Sequence, residues 1–100
     1  MARRLDHEAM IRRGVDRHEA RRYADALAEF DRALVQVPGC PLAEYNKANS
    51  LYMLGRDAEA ESLLRWLVTA TDADLRTACP VARPRSLRLD AAYLLFLALV

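Results

Sequence analysis

The sequence predicts an all-α fold, a single domain over residues 1–100 built from antiparallel helical hairpins. Three observations carry that prediction. Apolar residues recur with the helical period in almost every segment before residue 75, and no segment keeps the strict alternation of a half-buried strand. Proline and glycine fall where short turns are needed, at Pro38-Gly39, Pro41 and Gly55. Finally, the chain repeats itself. "RYADALAEFDRALVQVP" begins at Arg22, and "RDAEAESLLRWLVTATD" begins 34 residues later at Arg56. Arg22, Ala24 and Ala26 recur as Arg56, Ala58 and Ala60, acidic Asp25 returns as Glu59, and bulky Phe30 as Leu64.

Taken in order, the first helix is expected to start after Asp6, whose carboxylate caps the first free amides while Leu5 staples onto Met10. Met10, Ile11, Gly14 and Val15 share one face of it. A second helix from about Tyr23 to Gln36 carries Ala26, Leu27, Phe30, Ala33 and Leu34 on one stripe. It stops at Pro38-Gly39, because proline lacks the donor and glycine releases the chain. Pro41 suits the first position of a third helix, where its missing amide costs nothing. That helix runs to Leu54 and ends at Gly55. A fourth begins near Asp57 and turns Ala60, Leu63, Leu64, Leu67 and Val68 inward. Short loops make neighbours antiparallel, and neither hairpin buries its apolar face alone, so the two stack. Pro80 and Pro84 then exclude a continuous helix, and residues 75–86 read as an irregular connection. A last helix occupies 87–100, with Ser86 or Asp90 as its cap.

Composition fits a globular domain: 53% of residues are apolar and 29% charged, which argues against disorder. A formal net charge of +1 selects no acidic partner. Cys40 and Cys79 fit no metal or redox spacing. Read as two thiols in a chain that folds without them, they place the protein in a reducing, cytoplasmic setting. The opening "MARRLDHEAM" has no apolar stretch behind its arginines, so a signal peptide is not expected.

The 34-residue period and the placement of small and large residues resemble the tetratricopeptide repeat (TPR) family. The first repeat would be residues 7–40 and the second 41–74, with a partial third begun by "AAYLLFLALV". Gly14, Ala26 and Ala33 match the family's small positions, Phe30 the large one and Pro38 the closing proline. Ala48 and Ala60, Leu51 and Leu64 do the same in the second repeat, and "Tyr45-Asn46-Lys47-Ala48-Asn49" echoes its first-helix wording. Met10 and Glu44 replace the usual early tryptophan, Arg13 and Lys47 the leucine after it, and Leu67 and Asp72 a small residue and the proline. The resemblance implies a concave groove, lined by the first helix of each repeat, that holds a peptide or helix. Its lining would be Glu8, Ile11, Val15 and His18, then Leu42, Tyr45, Asn49 and Tyr52. Two tyrosines flanking an asparagine combine apolar area with hydrogen-bonding tips, while Ile11 and Val15 form an apolar floor. Asn46 matches one asparagine of the carboxylate grip used by TPR chaperone adaptors. Ile11 and Val15 stand where that grip needs a lysine and a second asparagine, and an apolar pair cannot hold a carboxylate.

No arrangement points to catalysis or a cofactor. His7 and His18 lie eleven residues apart on one helix, ~16 Å, too far to share a metal. No glycine-rich loop cradles phosphates and no nucleophile has a base beside it. Arg13, Arg17 and Arg21 recur every four residues, a stripe able to neutralise nucleic-acid phosphates. The carboxylates that interrupt it favour a solvated end face instead. The protein is therefore expected to be non-enzymatic, a scaffold or adaptor.

The last helix raises a second expectation. Residues 91–100 have no polar side chain but the Tyr93 hydroxyl, yet ten residues span only ~15 Å and cannot cross a bilayer. A terminal helix with no polar face leaves three outcomes: exchange between copies, a place in a longer repeat array, or, the sharpest, self-association into a homodimer through Tyr93, Leu94, Phe96, Leu97 and Val100, joined by Trp66. That would make self-assembly the alternative to groove binding.

Overall fold

A computed structural model of the protein describes the backbone of residues 2–71, 73–74 and 84–100, and the side chains of 6–71, 73–74 and 87–100. Among the described residues every regular element is a helix: α1 (Ala2–Glu19), α2 (Tyr23–Gln36), α3 (Pro41–Met53), α4 (Asp57–Thr69) and α5 (Pro84–Leu99). Consecutive helices pack on one another, α1 also touches α3, and α3 touches α5. The result is a two-layer zigzag with α1, α3 and α5 on one side and α2 and α4 on the other. Its thinnest extent is 18 Å, the depth of two helix layers about 8–10 Å apart.

The two hairpin turns are built alike. In the first, the Arg22 amide donates to the Arg17 carbonyl and the Arg21 amide to the His18 carbonyl. In the second, Arg56 donates to Leu51 and Gly55 to Tyr52. Both are the double closure of a helix end by a left-handed residue, with φ of 64° at Arg21 and 78° at Gly55. The next helix then starts on an arginine of nearly the same conformation, φ −97° and ψ 67° at Arg22, φ −92° and ψ 63° at Arg56. Each arginine pairs with an acid one turn on, Arg22 with Asp25 at 2.7 Å and Arg56 with Glu59 at 2.8 Å. The sequence echo thus has a geometric counterpart at the same separation.

Packing divides the interior into two parts. Ile11, Ala26, Phe30, Ala33, Cys40 and Ala43 form the first, with Met10, Val15, Leu34 and Val37 against it. Gly14 lets α1 approach α2 so closely that a methyl group there would meet the Phe30 ring. The second part joins Ala48, Leu51, Ala60, Leu64, Leu67 and Ala70 to Ala91 and Leu94 of α5. Phe30, Leu51, Leu64 and Leu67 are fully buried, and each such side chain contributes ~1.5–3 kcal/mol of burial. Glu29, buried on α2, clamps the first hairpin: it accepts from Arg13 at 3.0 Å and from Arg32 at 2.6 Å.

Several boundaries differ from the sequence reading. α1 starts at Ala2, so Asp6 lies inside it and is no cap; the residues before Asp6 include no helix breaker. α3 ends at Met53, one residue short of Leu54. α5 starts at Pro84, so Ser86 and Asp90 are interior helical residues. Proline at the first position starts this helix as Pro41 starts α3. The expected irregular connection lies outside the described residues from 75 to 83, but Ala73 and Asp74 are helical. Thr71 and Asp74 exchange backbone-to-side-chain bonds of 3.2 and 3.1 Å, a reciprocal cap of the kind that opens helices. Cys40 is disulfide-bonded rather than a free thiol. The other cysteine of the sequence, Cys79, lies outside the described residues. No helix among the described residues is long and apolar enough to cross a membrane.

Candidate partner-binding face

Helix α3 is central, in contact with all four other helices. It turns Ala43, Ala48 and Leu51 into the interior. Leu42, Tyr45, Asn49 and Tyr52, spaced three, four and three residues apart, form a strip on the face turned away from Ala43 and Leu51. Leu42 is exposed, and the other three are half-buried. Tyr45 and Tyr52 pack half-buried against the second core. Neither hydroxyl, nor the Asn49 amide, makes a hydrogen bond among the described residues, and none is a buried unsatisfied group. Neighbouring Asn46 is committed, donating to the Leu42 carbonyl at 2.8 Å.

The charges around this strip are modest. Burial pushes the Tyr45 phenol above its ordinary value, and the Asp90 carboxylate of α5 adds to the shift. Burial also raises Glu44, partly offset by Lys47. Lys47 itself reaches Asp31 of α2 at 2.8 Å. The side of the strip nearest α5 is therefore weakly acidic and the strip itself uncharged.

The predicted α1 contribution divides. Ile11 is only 8% exposed and belongs to the first core with Phe30, so it supplies interior rather than groove floor. Val15 is half-buried against that core. His18 is half-buried and engaged: its Nδ1 lies 2.9 Å from the Ser50 hydroxyl, and its ring meets Tyr23 edge-on at 5.0 Å. It ties α1 to α3 through a fully buried residue of the inward face. Burial holds its imidazole below the ordinary value, against a smaller opposing effect of Glu19. Sequence reasoning missed both Ser50 and Glu29. Ser50 follows no apolar pattern, and a carboxylate on a helix reads as solvated until its two arginines are seen beside it.

The α5 set also divides. Tyr93 is 66%, Phe96 63% and Val100 90% exposed, whereas Leu94 is 5% exposed and part of the second core. Leu97 packs half-buried beside that core. Trp66 on α4 is 41% exposed. Of the arginine stripe, Arg13 is held by Glu29, and Arg22 beside the stripe is held by Asp25. Among the described residues no group of three or more His, Cys, Asp or Glu side chains is placed to hold a metal ion. No family model matches this chain, and neither a curated protein nor a solved structure matches it at a significant level.

Proposed function

We propose that this protein is a non-catalytic interaction module of the tetratricopeptide-repeat kind, which holds a peptide segment or partner helix along the outer strip of α3. The observation that carries the reading is the set of three uncommitted polar ends, from Tyr45, Asn49 and Tyr52, fixed at helical spacing beside exposed Leu42. Buried ring bodies hold the tyrosine tips in place, so little ordering cost remains when a guest docks. An extended or helical guest finds apolar area from Leu42 and the ring edges, and hydrogen-bonding partners from the three tips. The two alike turns, 34 residues apart, support the family reading, as does the small residue Gly14 at the tightest helix contact.

A cytoplasmic location was expected from free thiols and loses that support with Cys40 bonded. A disulfide in a domain this small accords better with an oxidising compartment. Mass spectrometry after alkylation, with and without reductant, reads the thiol state directly.

Peptides selected against the protein from a displayed library test the binding reading. Tyr52→Ala should weaken the selected peptides at least tenfold while helicity stays near normal, and Val35→Ser, at a remote 78% exposed site, should leave them unchanged. If Tyr52→Ala unfolds the protein, the residue is structural. If selected peptides bind both variants equally, the α3 strip is not the site.

A further inference from the structure

Helix α5 has two apolar seams on opposite faces. Leu87, Ala91, Leu94 and Ala98, spaced four, three and four residues apart, face the second hairpin, and the first three of them are buried. Leu89, Tyr93, Phe96 and Val100 repeat that spacing half a turn round the helix, and are 65%, 66%, 63% and 90% exposed. Leu99 beside them is 54% exposed. From residue 91 onward the helix is apolar all round, the pattern of a buried helix, and among the described residues only one seam has a cover. From residue 91 to 100 no charged side chain interrupts either face.

We infer that the outer seam is covered by the same seam of a second copy, in an antiparallel two-fold dimer. The spacing four–three–four reads the same from both ends, which is what an isologous contact requires of a single strip. Turned about an axis between Tyr93 and Phe96, the strip sets Leu89 against the partner's Val100 and Tyr93 against the partner's Phe96. Aromatic meets aromatic at the centre, and aliphatic meets aliphatic at the ends. With no charge along the ladder, no like-charge pair opposes the contact. Apolar knobs at alternating three and four spacing interlock as in a helical coiled seam.

The area sets the strength. A large aromatic side chain buries ~150–250 Å² when covered, and two-thirds of that remains available on Tyr93 and Phe96. With the aliphatic residues, the seam offers roughly 400 Å² per copy, about half of what a standard stable interface buries on each partner. The dimer is accordingly weak, with a dissociation constant on the order of tens of micromolar. It is separate from the α3 strip, and its fate does not decide the groove reading.

Sedimentation equilibrium of the full chain from about 1 to 500 µM is the test. The expected result is a reversible monomer–dimer equilibrium with no larger species. Phe96→Glu should raise the dissociation constant at least thirtyfold with unchanged thermal melting and circular dichroism. Tyr93→Lys together with Phe96→Glu in one chain should restore association at low salt, because the antiparallel register puts each new lysine beside the partner's new glutamate. A parallel register would set like charges together and fail to restore it. The inference is overturned by a monomer at every concentration, whether or not the seam then takes a helix from a different protein. It is overturned equally by a dimer indifferent to Phe96→Glu, by failure of the paired substitution, or by unfolding of Phe96→Glu, which would place that ring in the interior.

Discussion

Replacing Gly14 by alanine adds one methyl group where α1 and α2 leave no room. A Cβ built there lies 2.7 Å from Phe30 Cδ1 and 2.8 Å from Cζ, and closest of all to Cε1. Carbon atoms in ordinary contact sit about 3.5–4.0 Å apart, so the ring must retreat by ~1 Å or α1 must move away. Retreat is blocked, because Phe30 is fully buried among Ala26, Ala33 and Ile11. Forced overpacking of this kind costs typically ~1–3 kcal/mol. Helix propensity alone works the other way, favouring alanine over glycine by about 1 kcal/mol. A contact more than 1 Å too short belongs in the upper half of the overpacking range, about 2–3 kcal/mol, so the net expectation is a loss of about 1–2 kcal/mol, or roughly 5–15 °C in melting temperature for a domain of this size. Thermal and urea melts followed by circular dichroism measure it. Pairing Gly14→Ala with Phe30→Leu sharpens the test: the double variant should lose at least about 0.5 kcal/mol less than the two single losses together. A Gly14→Ala protein as stable as the parent, or more stable, would refute the close approach of the two helices, since propensity by itself predicts that gain.

Two further outcomes follow from local geometry. Arg21 sits at φ 64°, a region that strains any residue with a Cβ, so Arg21→Gly should raise stability by about 0.5–1 kcal/mol, and Gly55→Ala at the equivalent turn should lower it by about 1 kcal/mol; differential scanning calorimetry reads both. For His18, burial lowers the folded pKa below the ordinary 6.5. The unfolded chain therefore binds its proton first, and stability should fall as pH drops below about 6.5, levelling once the folded imidazole is also charged. Urea midpoints at pH 7.5 and 5.5 check this, with His18→Gln expected to reduce the slope; an unchanged slope would show that burial of His18 does not govern it. Glu44, raised by burial, works in the opposite sense and is unaffected by that comparison.

The helices between Tyr23 and Thr69 were legible because their boundaries have local causes. Pro41 and Gly55 act through backbone geometry that no distant contact alters, and the stripe Ala26, Leu27, Phe30, Ala33, Leu34 reads directly as an inward face. The start of α1 was misread because Asp6 offers a cap that the helix does not use. Pro84 was read as a breaker, although the same residue type begins α3. The candidate faces were legible only in part. Helical spacing sets Tyr45, Asn49 and Tyr52 on one face of α3, but it cannot say that Ile11 points into the first core or Leu94 into the second. Those choices depend on where neighbouring helices cross. Glu29 and Ser50 lay beyond sequence reasoning for the same reason, since their partners are 16 and 32 residues away.

Helix α3 gives Ala43 to one half of the interior and Ala48 and Leu51 to the other. It is the common wall of two rooms. Loosening either half must disturb the helix that also displays Tyr45, Asn49 and Tyr52, so a guest of the proposed kind, held by those side chains, should stiffen both halves at once. Amide protons of α2 and α4, which no guest on that strip would touch, should then exchange more slowly in the bound protein. A small domain can in this way report occupancy at its far side without changing shape.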